Sequence, residues 1–192
     1  IVRYRANTTD YVDTVAIDTF AAATGTLLGA DVDAGSTLIY GIANVTAANG
    51  VATKVGTYGT LTVTTTSGAY TFTPNAAAIN ALSAATTETF TVSVSDGTAI
   101  TTASLVINLT AVNDAPTIND IANQTVNEDT ALAFTGGNTI SVADVDGNLA
   151  TTQLTVSNGT LNVSLAGGAN ISSGANSSAT LTLSGTQAQI NA

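Results

Sequence analysis

Short groups of oxygen-bearing side chains are the residues here with the types and spacing for chemistry. They are Asp31-Val32-Asp33, Asp96-Gly97, Asn113-Asp114, Asn127-Glu128-Asp129 and Asp144-Val145-Asp146. Calcium takes six to eight oxygen ligands from carboxylates, amide or backbone carbonyls and water. Two aspartates separated by one residue on a short loop can both turn toward one ion when the loop folds back. The competing reading is structural, since an Asp in a D-G or N-D pair commonly bonds nearby backbone in a turn. That reading weighs most on Asp96. Asp10, Asp13, Asp18, Glu88 and Asp120 read as ordinary surface charges.

Composition narrows the chemistry further. The chain of 192 residues has no Cys and no His, which excludes thiolate and imidazole metal sites and a Ser-His-Asp triad. A carboxylate pair remains formally open, but no catalytic set can be named, so the expectation is not an enzyme. Thirteen acids face three bases (Arg3, Arg5 and Lys54), for a formal net charge of −10. Nucleic acid is an unfavourable partner, because phosphate binding needs clustered Lys and Arg. No 18-residue apolar run, signal peptide or initiator Met is visible, so the expectation is a soluble chain, not inserted in a membrane, either a mature product or an excerpt.

The elements that must position these acids read as β-strands. Thr, Ser, Val, Ile, Gly and Asn dominate, and strand patterns recur at a spacing of roughly 8–12 residues, the mark of a sandwich or barrel. In Thr89–Ser95 the residues Phe90, Val92 and Val94 share one face; Leu105, Ile107 and Leu109 repeat the alternation. Other strands are expected over Thr37–Ile42, Gly50–Val55, Tyr58–Val63 and Ala69–Thr73. The one helical candidate is Asn75–Ala84. Beyond Pro116, apolar alternation marks Leu132/Phe134, Ile140/Val142, Leu154/Val156, Leu161/Val163/Leu165 and Leu181/Leu183. The five tyrosines (Tyr4, Tyr11, Tyr40, Tyr58 and Tyr70) read as packing residues rather than a carbohydrate platform.

Val112–Thr117 reads as a junction, because Pro116 cannot donate to a β ladder and biases Ala115 toward extended backbone. The predicted fold is all-β, two tandem Ig- or cadherin-like sandwiches over 1–112 and 113–192. Alternate loops of a sandwich share an end of the domain. That arrangement sets Asp96 beside Asp31 and Asp33, and Asp144 and Asp146 beside Asn113 and Asp114.

The two modules are related. Ala30–Asp33 reappears as Ala143–Asp146, Tyr58–Val63 as Asn158–Val163, and Ile79-Asn80-Ala81 as Ile190-Asn191-Ala192. By the last match, the second module lacks counterparts of the final two strands of the first. Such a sandwich leaves an apolar cleft and unpaired edges. Either the chain is an excerpt of a longer array, or a strand from residues 1–18 of a neighbouring copy completes it.

The motifs LTAVNDAPT (109–117), the paired ADVD segments, GTYGTLTV (56–63), AYTFTPN (69–75) and TFTVSVSDG (89–97) resemble bacterial cadherin-like repeats of the VCBS type, found in large RTX-type and biofilm surface adhesins. VNEDTALAF (126–134) and QLTVSNGTLNVSL (153–165) resemble a companion cadherin-like repeat. The resemblance implies Ca²⁺ between successive modules, rigidifying a rod outside the cell, with neighbouring repeats or copies as partners and a cell-surface or matrix ligand at its tip. Carried over by position, Asn113, Asp114, Asp144, Asp146 and Glu128 match the joint ligands, with Asp31, Asp33 and Asp96 as their first-module counterparts. No D-R-E-like motif occurs in the first module, so one ion, at most two, is expected at the 113–146 joint. The alternative is a carbohydrate- or protein-binding accessory module of a secreted protein.

Overall fold

A computed structural model describes residues 2–3, 10–32, 35–119 and 121–192. The chain forms two compact units, Ile1–Asn113 and Asp114–Ala192.

The first unit contains β1 (Val2–Arg3), β2 (Asp10–Val12), β3 (Ala23–Thr26), β4 (Leu28–Gly29), β5 (Ile39–Ile42), β6 (Val51–Val55), β7 (Gly59–Thr64) and β8 (Ala69–Pro74). A one-turn helix α1 (Ala76–Asn80) follows, then the long strands β9 (Thr86–Ser95) and β10 (Ile100–Thr110). One four-stranded sheet has the order β2-β10-β9-β5 and a second the order β3-β8-β7-β6. All pairings in both are antiparallel except β2 with β10, which is parallel.

Period-2 alternation explains how the sheets close on each other. Phe90, Val92, Leu105, Ile107 and Leu109 come from one sheet; Leu61, Val63, Tyr70 and Phe72 come from the other. All are buried in a single core cluster. The rings of Phe20, Tyr11, Phe72 and Phe90 form a chain of contacts with centroids 5.8, 5.8 and 5.9 Å apart. Gly59 is required at its place on β7, because a Cβ there would run into the Phe72 ring and the Thr73 carbonyl. Helix α1 is short, as its sequence predicts: Asn75 accepts from the Ala78 amide as an N-cap. Asn80 ends the helix, donating to the carbonyls of Ala76 and Asp18.

Residues 10–12, expected as part of a donor strand, sit instead in their own unit. Asp10–Val12 pairs with Asn108–Thr110, and Tyr11 is buried in the core. Giving this strand to another copy would withdraw Tyr11 from that core. Residues 1 and 4–9 of the expected donor lie outside the described residues.

The second unit contains β11 (Thr117–Ile118), a 3₁₀ turn at Gly136–Asn138, β12 (Val142–Ala143), β13 (Thr151–Thr155), β14 (Asn170–Gly174), β15 (Thr180–Ser184) and a one-turn helix α2 (Gln187–Ile190). The sheets are β11-β12 and β13-β15-β14. Its buried apolar residues among those described are Ala169, Leu181 and Leu183, a much thinner core than that of the first unit. The strands expected around Leu132/Phe134 and Leu161–Leu165 are not formed. The first stretch is irregular, and in the second only Leu161 makes an isolated bridge, to Ser178. Alternation specifies a face, but a strand also needs a neighbour to bond, and these stretches have none within the unit.

Phe72 is 0% exposed at the centre of the first unit's core. Phe72→Ala is expected to cost about 3–5 kcal/mol of stability through lost burial and a residual cavity. Urea unfolding followed by tyrosine fluorescence measures it; a loss under 1 kcal/mol would contradict this account of the core.

Candidate functional site

The second unit brings together three of the predicted acids, and the register of one short pairing explains how. Thr117 faces Ala143 and Ile118 faces Val142 in an antiparallel ladder. Residues just before Thr117 must therefore run beside residues just after Ala143, which sets Asp114 against Asp144 and Asp146. The Asp114 amide donates to Asp146 Oδ2 at 2.6 Å, and the Asp146 amide donates to Asp144 Oδ1 at 3.0 Å. The loop closes when the Gly147 amide reaches the Asp144 carbonyl at 3.2 Å. Gly147 adopts a φ of 67°, in the left-handed region that glycine enters without steric cost.

Helix α2 fixes this loop from behind. The Asp144 amide donates to Gln187 Oε1 at 2.7 Å. Asn191 accepts from the Val142 amide at 2.9 Å and donates to its carbonyl at 2.8 Å. The helix is itself held by a capping box between Thr186 and Gln189, an arrangement that satisfies two otherwise unbonded amides.

The electrostatics of the group are unusual. Asp114 and Asp144 are buried, with 4% and 8% of their surface exposed, and Asp146 is half-buried. Asp146 Oδ1 is enclosed and has no hydrogen-bond partner. Residues 114–192 contain no Lys, Arg or His, so the unit has no basic side chain to balance these carboxylates. Burying a carboxylate oxygen without a donor or cation is costly. The donor set, hard oxygens with a bare enclosed one among them, suits a cation such as Ca²⁺. Among the described residues, no group of three or more acidic side chains is already arranged around a common metal position. An ion here would draw its remaining ligands from backbone carbonyls and water.

The other predicted residues stand apart from this group. Glu128 is exposed in the loop that follows β11, and Asn113 is an exposed residue at the end of the first unit. Asp31 is exposed after β4, and Asp33 lies outside the described residues. Asp96 is committed to its hairpin turn, where Oδ1 accepts from the amides of Thr98 and Ala99, each at 2.7 Å. Those amides stabilise the ionised form and hold the Asp96 carboxyl below its ordinary range.

Three acids expected as ordinary surface charges prove structural. Asp13 is 1% exposed; its amide donates to the Thr110 carbonyl and its Oδ2 accepts from the Val112 amide at 3.4 Å. Asp13 thus fastens the segment by which the chain leaves β10. The available signal was Tyr11-x-Asp13, which puts both residues on one face of a strand. Glu88 accepts from the amides of Thr57 and Tyr58 and clamps the turn before β7. Asp18 accepts from the Thr14 amide at 2.6 Å. Asp10 is exposed and accepts from Asn108 at 3.0 Å, and Asp120 lies outside the described residues.

The family model described as Bacterial Ig domain matches residues 5–109, more than half of the chain. The chain belongs to the bacterial Ig-domain family. The two facing sheets of the first unit are the architecture that such a domain requires. Ig-like domains of this kind are in general non-enzymatic structural modules, and bacterial ones are typically found at the surface or outside the cell. No described helix is long and apolar enough to cross a membrane. Among solved structures, the chain is similar to human Protocadherin-24 EC1-2, at 15% identity and a TM-score of 0.35, covering 97% of this chain and 79% of that one. No curated protein matches the chain.

Asp96 gives this bacterial Ig domain a testable acid response. Its folded pKa lies below its unfolded value, so the stability it contributes is present above the ordinary carboxylate pKa. That contribution is lost as pH falls through the lowered value. A carboxyl titration by NMR is expected to place the Asp96 midpoint below that of a free aspartate. Asp96→Ala should speed amide exchange at Thr98 and Ala99. An ordinary midpoint with unchanged exchange would remove the turn-capping role.

Proposed function

We propose that the chain is a structural repeat of an extracellular bacterial adhesin or surface filament, in which Ca²⁺ stiffens the point where the chain passes into its second unit. One observation carries the reading: Asp114, Asp144 and Asp146 gather in a unit without a single basic residue, with Asp146 Oδ1 enclosed and partnerless. Asp114, Asp144 and Asp146 would hold the ion. Its charge would balance the buried carboxylates and tie the first residues of the second unit to the loop after β12. Membership of the bacterial Ig-domain family supports the structural role, and the VCBS-like motifs support a large surface adhesin with neighbouring repeats as its partners. The reading as a carbohydrate-binding accessory module draws less support, because Tyr11 and Tyr70 are buried and Tyr40 and Tyr58 half-buried.

The test is thermal unfolding with excess Ca²⁺ and with EDTA. Affinity on the order of 10⁻⁴–10⁻³ M fits an extracellular module, and saturation is expected to add about 1–3 kcal/mol by mass action. Asp146→Asn leaves an amide oxygen for the Asp114 amide and should keep the fold in EDTA while losing most of the calcium increment. A variant that responds to calcium as the parent does would sink the ligand assignment.

A further inference from the structure

The second unit leaves an open groove of about 630 Å³ whose lining includes Phe134, Leu154, Leu161, Val163, Leu183 and Ile190. Phe134 and Leu132 on its wall are 42% and 38% exposed. A contiguous apolar surface of this kind marks a binding site rather than ordinary solvent-facing surface. Beside the groove, β13 is an edge strand: it bonds β15 on one side and no described strand on the other. Groove and strand edge together select a ligand that is apolar on one side and offers backbone groups along its length.

The first unit shows what fits such a face. Its β5 follows the Asp31-Val32-Asp33 segment as β13 follows Asp144-Val145-Asp146. Instead of ending the sheet, β5 pairs with β9, from Ile39 against Ser95 to Ile42 against Val92. The β9–β10 hairpin then covers the opposite sheet with Phe90, Val92, Leu105, Ile107 and Leu109. It begins a few residues after α1, and the counterpart of α1 in the second unit, α2, ends in Ile190, Asn191 and Ala192, which line the groove. The charge pattern agrees as well. No residue lining the groove is charged, and none of the hairpin's inward residues is.

We infer that the groove of the second unit is an acceptor for one β-hairpin of the β9–β10 type, which adds a strand to the free edge of β13 and seats its alternate apolar residues on Phe134, Leu154, Leu161 and Val163. Backbone pairing supplies the affinity and the alternate side-chain pockets the selectivity. A compact apolar ligand would fill the groove but leave the β13 edge unbonded, so a hairpin satisfies both features and a small molecule only one. The inference does not rest on calcium.

The experiment appends a second copy of Leu82–Asn113 directly after Ala192, the junction set by the match of Ile79-Asn80-Ala81 to Ile190-Asn191-Ala192. A control carries the same segment with F90T, V92T, L105T and I107T in the appended copy only. Binding of the apolar dye ANS is expected to fall several-fold on appending the native segment. The β13 amides not bonded to β15 should become protected from hydrogen exchange, and the control should change neither. Equal behaviour of the two appended chains would overturn the inference. So would an unextended chain that already excludes ANS as a dimer, its groove filled by a second copy. Because both readouts are taken in EDTA, failure here leaves the calcium reading standing, and failure of the calcium reading leaves this one.

Discussion

The antiparallel pairing of β9 with β10, running from Thr86 against Leu109 to Ser95 against Ile100, carries the first unit. β10 lies inside its sheet and accepts β2 on its other side, while β9 accepts β5. Remove that pair and the sheet is left with two short strands that have nothing to bond, and the inner faces of β7 and β8 lose their cover. Backbone bonds and apolar burial are satisfied by the same two strands, which is why their loss cannot be offset locally. Asp13 extends the effect beyond the sheet, because it bonds the last residues of β10 and the segment that follows. The direction in which the chain leaves the unit is therefore set by the end of this hairpin.

The second unit shows the same sequence patterns without that pair. Its apolar alternation is intact on paper, yet only Ala169, Leu181 and Leu183 among its described apolar residues are buried. What remains ordered is held by side chains acting as substitutes for ladder bonds. Asn119 bonds the Ser141 amide and the Thr139 carbonyl, Asn176 bonds both backbone groups of Val163, and Asn191 does the same for Val142. The abundance of Asn in this half of the chain is thus partly structural.

How much of this was legible depended on whether the deciding interaction was local. Period-2 runs with a neighbour, such as Phe90-Val92-Val94, predicted both strand and buried face. The extra residues Thr86–Glu88 and Ile100–Thr102 could not be read, because only the pairing of the two strands with each other makes them β. The repeat of Tyr58–Val63 as Asn158–Val163 was real as sequence and misleading as structure: the first copy lies largely on β7, the second is a loop with one bridge. The D-x-D and N-D groups were legible because their chemistry lies in their spacing. Asp13 and Glu88 were not, because their partners lie 99 and about 30 residues away and no local pattern announces a long-range contact. Asp96 had two readings from the start, and its turn took the oxygen that the other reading would have given to a metal.

The second unit joins its two open features through one helical turn. Gln187 of α2 holds the Asp144 amide behind the carboxylates, while Ile190 and the residues after it form part of the groove wall. A helix of four residues has almost no stability of its own, so its order must come from what it touches on either side. A cation that tightened the loop after β12 would fix α2 from one face; strands seated in the groove would fix it from the other. Whichever binds first lowers the ordering cost left for the second, and linkage makes that assistance reciprocal. The carboxylates and the apolar face are far apart in chemistry, but the fold gives them a common support, and stiffness at one is obtained through the same few residues as closure at the other.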